Sequence, residues 1–269
     1  MMVHMRTSCL LLLLLIVAVA AAADGVIPLE TLKSQMNSRF KAALPQQWGE
    51  QVSGVRSHLA TKEKLLALTL DACGSARGKG FDAELITYLE QEQIPATLFI
   101  NARWIDANPE TFLKLSRNPL FEIANHGLHH KPASITGRSV YGIAGTRSVV
   151  ELTDEIELNA RKIESLTGRR PLLYRSGTAY YDDVAVQISN ALGHEVAGYS
   201  VLGDAGATYS ATQVTRALLA SKPGDVILCH FNHPESGTAV GIRGAIPELK
   251  RRGYRFVQMS PYLLQNRPR

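Results

Sequence analysis

The chain has 269 residues, 45% of them hydrophobic and 20% charged, with a formal net charge of +5. That length fits one large domain or two small ones and is enough to bury a sizeable core. The charge is mild and scattered, which argues against a nucleic-acid partner, and no Lys/Arg-rich block reads as a membrane or DNA patch.

The chain opens with Arg6 ahead of an apolar run over residues 10–23. A charged start, an apolar middle and a small-residue end describe a leader peptide, expected to be cut after Ala22 or Ala23. The run is short for a membrane span, and an uncleaved anchor is the minor alternative. The mature protein is therefore expected in the periplasm or secreted, with no stable membrane anchor. Residues 24–63 read as an N-terminal extension. Leu29, Leu32, Met36, Phe40 and Ala43 give it one helix at helical spacing, ended by Pro45. It is expected to pack on the outside of the main domain and to carry no chemistry. His58 is expected at the surface without a partner.

The main domain, residues 64–269, alternates strands and helices. Residues 64–71 form a near-continuous apolar run, which suits a parallel strand buried on both faces. A Gly-rich loop (74–80), a helix (81–93) and a second strand (94–101) follow. Pro109 opens a short helix at its first turn. The third strand, 121–124, leads into His126, His129 and His130. A Gly/Ser/Thr loop over 134–148 precedes a helix over 149–168 that Gly168 stops. Further strands are expected at 170–175, 195–201, 225–230 and 254–259, and helices at 183–192, 212–219 and 241–252. Seven strands alternating with helices mean parallel strands and right-handed crossovers. The expected fold is α/β, a distorted (β/α) barrel of about seven parallel strands.

Ionisable residues gather at the carboxyl ends of these strands, where α/β barrels carry their active sites. Strand one ends in Asp71, strand three in His126 and His130, strand four in Arg175 and strand six in His230, and Asp204 follows strand five. His126 and His130 are four apart, so one helical turn would bring both imidazoles to one side as half of a zinc site. Five such endings point to an enzyme more strongly than any one residue. His230 is preferred over His233 as a working group, because a strand end fixes geometry better than a loop. Tyr141, Tyr180 and Tyr181 are either sugar-stacking rings or ordinary loop aromatics, and Trp104 reads as core or rim. His129 reads as a loop side chain.

Thr69 and Asp71, the stretch Asn125, His126 and His130, the stretch Arg175 to Thr178, and Leu228 with His230 resemble four motifs of the polysaccharide deacetylases, carbohydrate esterase family 4, in order and at comparable spacing. The similarity spans about residues 64–262. It implies a distorted (β/α) barrel, a divalent metal, usually zinc, and hydrolysis of N-acetyl groups on an amino-sugar polymer. Peptidoglycan is the first expected substrate and a chitin-like chain the second. By the same resemblance Asp71 is the base, Arg175 its partner and His230 the general acid oriented by Asp204. His126 and His130 are metal ligands, and a backbone N–H near Thr178 receives the oxyanion.

One position departs from the family pattern. Ala72 stands where a second aspartate usually binds the metal. Cys73 shares a face with Asp71 on an extended chain and can be the third ligand. Asp71 can itself take that role, or the metal is lost and a sugar-binding relic remains. An amide, an ester or a small cyclic amide is the alternative substrate on the same fold. Cys73 and Cys229 invite a disulfide in an oxidising compartment. If His230 points inward, however, Cys229 points outward, and diverging Cβ vectors cannot be bridged.

Overall fold

The computed structural model describes residues 27–262 and 264–265. The expected leader, residues 1–23, lies outside the described residues. The N-terminal part holds α1 (Leu29–Phe40), β1 (Trp48–Gly49) and β2 (His58–Leu59). The first half of the main domain holds β3 (Leu65–Ala72), α2 (Ala83–Gln91), β4 (Ala96–Ile100), α3 (Ala102–Ala107), α4 (Pro109–Arg117) and β5 (Phe121–Asn125). Then come α5 (Val149–Thr167), β6 (Leu173–Tyr174), β7 (Tyr181–Asp182), α6 (Asp183–Ala191), β8 (Glu195–Val196) and β9 (Val201–Leu202). The chain closes with α7 (Ala211–Leu219), β10 (Val226–His230), α8 (Thr238–Arg251), β11 (Arg255–Phe256) and β12 (Leu264–Gln265).

The main sheet runs β8-β6-β5-β4-β3-β10-β9, with β11 paired to β3, and every ladder in it is parallel. This is the expected distorted barrel, with one difference. The fifth expected strand is split: β8 pairs with β6 at one edge of the sheet and β9 pairs with β10 at the other. One short stretch of chain thus joins both edges and curls the sheet into a barrel. The N-terminal extension fills the gap it leaves. Arg56 donates its N–H to Val196 O at 2.8 Å and accepts from Gly198 N at 2.8 Å.

Strand alternation divides the side chains into two cores. Leu66, Leu68, Leu70 and Ala72 of β3, with Leu98, Ile100, Ile227 and Cys229, face outward into a cluster completed by α2, α3, α4, α7 and α8. Ala67, Phe99, Ala124, Leu173 and Val226 face inward and fill the barrel's base with Met259. A third cluster joins α1, α5 and α6, so the extension is docked through Met36 and Phe40. Local signals set the helix ends. Ser148 caps α5 by accepting from Glu151 N, and Gly168, at φ 72, ends it. His58 departs from expectation. It is 9% exposed, and its Nε2 lies 3.5 Å from Asp225 Oδ1. Among the described residues no helix is long and apolar enough to cross a membrane.

Candidate active site

The inward files of the strands end at the carboxyl mouth of the barrel. Asp71, two residues above Thr69 on β3, is 3% exposed. Its Oδ1 accepts from Arg175 Nη1 at 2.7 Å, and its Oδ2 lies 3.6 Å from His126 Nε2. Arg175 is fully buried, and each of its three guanidinium nitrogens donates a hydrogen bond. It also donates to Thr69 Oγ1, Ala197 O and Gly198 O, and its guanidinium lies 4.0 Å from the centre of the Phe99 ring. A guanidinium with so many fixed partners holds the Asp71 carboxylate in one orientation.

His126 follows β5 directly. Its Nδ1 donates to Arg175 O at 3.0 Å, which leaves Nε2 as the lone-pair nitrogen, turned toward Cys73 and Asp71. Burial lowers its pKa, so the ring is neutral, as a metal ligand must be. His130 does not reach it by a helical turn. The chain after β5 is a loop, with Gly127 at φ 77 and His130 at φ 61, and the loop folds the two rings to 4.9 Å, edge to face. Gly177 permits this arrangement, because a Cβ there would meet the His130 carbonyl carbon at 2.3 Å.

Cys73 completes the group. Its sulfur is 3.9 Å from His126 Nε2, and one donor atom from each of Cys73, His126 and His130 lies within 4.8 Å of the others. Burial alone would raise the thiol pKa, but His130 and His230 beside it outweigh burial and bring it to about 6. The His130 Nε2 is buried and finds no partner among the described residues. A thiol drawn toward thiolate, one neutral imidazole and a second with an orphaned nitrogen suit a borderline-soft cation such as zinc. Asp71 is turned to Arg175 and stands outside that trio.

On the other side, His230 ends β10. Asp204 accepts from its Nδ1 at 2.9 Å and from its backbone N–H at 2.7 Å, and also from Thr238 Oγ1 at 2.9 Å. Burial works to lower the His230 pKa, but the Asp204 carboxylate and Cys73 outweigh it and hold it well above the ordinary imidazole range. Asp71, Cys73, His130, Thr178 and His230 all line one cavity of about 510 Å³.

Residues 58–197 match the family model described as Polysaccharide deacetylase. The chain belongs to the polysaccharide deacetylase family. A peptidoglycan-N-acetylglucosamine deacetylase of Bacillus cereus is 25% identical over 218 residues, which are 80% of this chain and 95% of that protein. Among solved structures, a peptidoglycan N-acetylglucosamine deacetylase in complex with 4-naphthalen-1-yl-N-oxidanyl-benzamide superposes with a TM-score of 0.65 at 20% identity, over 78% of this chain and 92% of that one. A pseudoenzyme of carbohydrate esterase family 4 from Bacillus anthracis has the same fold, with a TM-score of 0.64 at 20% identity over 78% of this chain and 69% of that one.

Not every expected residue of this chain lies where the sequence suggested. His233 also lines the cavity, but its Nδ1 is engaged by Glu235 Oε1 at 2.9 Å. Tyr181 is a core residue that accepts from Ser176 N, whereas Tyr141 is 70% exposed at the cavity. Cys229 lies in the outer core, and both it and Cys73 are free thiols. Two positions at the site escaped sequence reading. Glu155 of α5 is 2% exposed and accepts from His129 N and Lys131 N, clamping the histidine loop. Glu50, from the extension expected to carry no chemistry, lines the cavity. The buried glutamate among apolar positions of α5 was the available signal for the first; nothing in the local sequence marks the second.

Proposed function

We propose that this protein is an exported, metal-dependent hydrolase that removes N-acetyl groups from an amino-sugar polymer, with peptidoglycan as its substrate. The observation that carries the reading is the convergence, at one mouth of the barrel, of the Cys73, His126 and His130 donor atoms with the Asp71–Arg175 and His230–Asp204 pairs, of which Cys73, His130, Asp71 and His230 line the cavity. The peptidoglycan deacetylase of B. cereus, matched over nearly its full length, supports the choice of polymer. The Arg6-led apolar run at the N-terminus supports export.

Cys73, His126 and His130 would hold the cation. When bound, it would supply the Lewis acidity that makes a water nucleophilic near neutral pH and polarises the acetyl carbonyl. Asp71, oriented by Arg175, takes the proton from the attacking water at Oδ2, the oxygen Arg175 leaves free. Asp204 holds the His230 Nδ1–H, so His230 presents Nε2–H to the leaving amine and protonates it. Base and acid come from neighbouring strands, Asp71 on β3 and His230 on β10 in register with it, so one group can take a proton and the other give one at the same mouth of the barrel.

Purified protein should carry one zinc per chain and release acetate from peptidoglycan. A chelator should stop the release and added zinc should restore it. Cys73→Asp should retain the metal, whereas Cys73→Ala should lose both metal and activity. Stoichiometric metal with no acetate release from peptidoglycan or chitin-like oligomers would sink the reading, and glycan binding without turnover would reveal a binding relic. N-terminal sequencing of the exported protein should begin at Ala23 or Asp24.

A further inference from the structure

Cys73 lies one residue beyond β3, whose ladder with β4 ends at the pair Ala72 and Ile100. The chain that follows it is a loop with glycines at 74, 78 and 80. The strand therefore brings Cys73 to the mouth of the barrel without fixing its sulfur. A donor atom displaced by about 1 Å is a poor ligand, so the backbone that carries it needs support of its own. Glu155 gives that support to the histidine loop. For Cys73 it comes from the junction between β4 and α3.

Asn101 follows β4 and caps α3, and it is fully buried. Its backbone N–H extends the ladder by donating to Ala72 O at 3.0 Å. Its side-chain Nδ2 donates to His126 O at 3.0 Å and to Gly127 O at 2.7 Å. Its Oδ1 accepts from Arg103 N at 3.1 Å and from Arg103 Nε at 3.2 Å. Arg103 Nη2 in turn donates to Cys73 O at 3.2 Å. One buried amide thus ties the carbonyl of Cys73, through the guanidinium, to the carbonyl of His126. Arginine suits this place because two donors in one rigid plane reach both oxygens at once, which a lysine ammonium on a flexible stem does not.

We propose that Asn101 and Arg103 are positioning residues that hold Cys73 and the His126 backbone at a common spacing, and so let a cysteine beyond the strand end serve as the third donor to the metal. They act through the main chain of the donors and touch neither metal nor substrate. The proposal rests on the reading of Cys73, His126 and His130 as the metal-holding residues, and it assigns the cysteine arm of that site its own support.

The test reads the metal rather than the reaction. Cobalt is bound to the full mature protein, where a thiolate ligand gives a near-ultraviolet charge-transfer band that imidazole ligands do not, and zinc affinity is measured by competition with a chelator. The wild type should show the thiolate band. Arg103→Met keeps the aliphatic stem and removes the link to Cys73 O. It should weaken zinc about 10–100-fold and diminish the thiolate band, while the visible cobalt bands remain. Arg103→Lys, which reaches one oxygen at a time, should fall between wild type and Arg103→Met. Asn101→Asp keeps the acceptor for Arg103 but removes the donors to His126 O and Gly127 O, so zinc should weaken with the thiolate band retained. A thiolate band of wild-type strength in Arg103→Met overturns the proposal, and so does equal loss of all cobalt bands in a variant whose far-UV circular dichroism is unchanged. A wild type that binds cobalt without the thiolate band, or binds no metal, overturns the donor reading instead.

Discussion

Asp204 grips His230 twice, through the ring Nδ1 and through the backbone N–H, and this decides when His230 is an acid. The raised His230 pKa keeps the ring protonated well above the ordinary imidazole range. Asp204→Asn removes the negative charge, so the alkaline limb of the pH–rate profile should move to lower pH. The rate at neutral pH should drop by about 10²–10⁴-fold, the usual contribution of general acid catalysis. A profile unchanged on its alkaline side would assign the acid elsewhere, with His233 next in line. Arg175 makes a different prediction, because its role is as much structural as chemical. Arg175→Met leaves Asp71 buried and uncompensated, which should cost about 3–5 kcal/mol in urea denaturation as well as activity. The placement of both pairs was legible in the sequence, since charged residues ended runs that otherwise read as buried strands. The third member of the donor cluster was not. Between Asp71 and Cys73 the sequence left a choice, and the pairing of Asp71 with Arg175, a contact between residues 104 positions apart, places Cys73 with the histidines.

At the scale of elements, α5 acts on the site without lining the cavity. Glu155 reaches from its buried face and accepts two backbone N–H groups of the loop that carries His130, while Asn159 donates to Ile100 O and Asn125 Oδ1 beneath it. Glu155→Ala should therefore weaken zinc binding about 10–100-fold, as losing the partners that orient ligands does, read by competition with a chelator while far-UV circular dichroism stays unchanged. Gly127 gives a second handle on the same clamp. A Cβ there would come within 2.5 Å of Glu155 Oε1, and φ is already 77. Gly127→Ala should lower zinc affinity in the same direction. The two histidine rings do come together, at 4.9 Å, but the helical turn expected to join them is a loop. Two left-handed residues bring the rings together there, and the glycines that allow it gave no period for a pattern reading to find.

For the molecule as a whole, closure of the barrel rests on the N-terminal extension. Arg56 supplies the backbone partner for Val196 and Gly198 where β8 gives way to β9. Arg56→Pro deletes that donor and should lower stability by about 1–3 kcal/mol, the penalty of an orphaned buried carbonyl. Acid response adds a second global prediction. His194 is 1% exposed, and burial together with the Arg170 charge lowers its pKa to about 4. The unfolded chain takes up this proton near pH 6.5 and the folded chain only near 4, so its contribution to stability is present above 6.5 and lost as pH falls through 4. Glu155 acts in the opposite sense. Burial lifts it to about 7 against the N–H groups of Lys131 and His129, so its contribution to stability grows as pH falls from 7 toward 4.5. The stability difference between wild type and His194→Asn should accordingly change by about 3 kcal/mol between pH 7 and pH 4. A difference independent of pH would mean that His194 is protonated in the fold.

The sequence by itself determined the βα alternation, the inward and outward parity of β3 and β10, and the residues that end the strands. Each of these depends on local periodicity, and burial on both faces leaves a strong apolar signal in a parallel strand. Parity alone foretold that Cys229 would turn away from Cys73, and both are free. Only the tertiary structure decided the rest. It set which donor atoms meet, how a split strand joins both edges of the sheet, and that Glu50 of the extension stands in the cavity wall. Those outcomes depend on chain segments brought together across long sequence separations, where no period in the local sequence can register the contact.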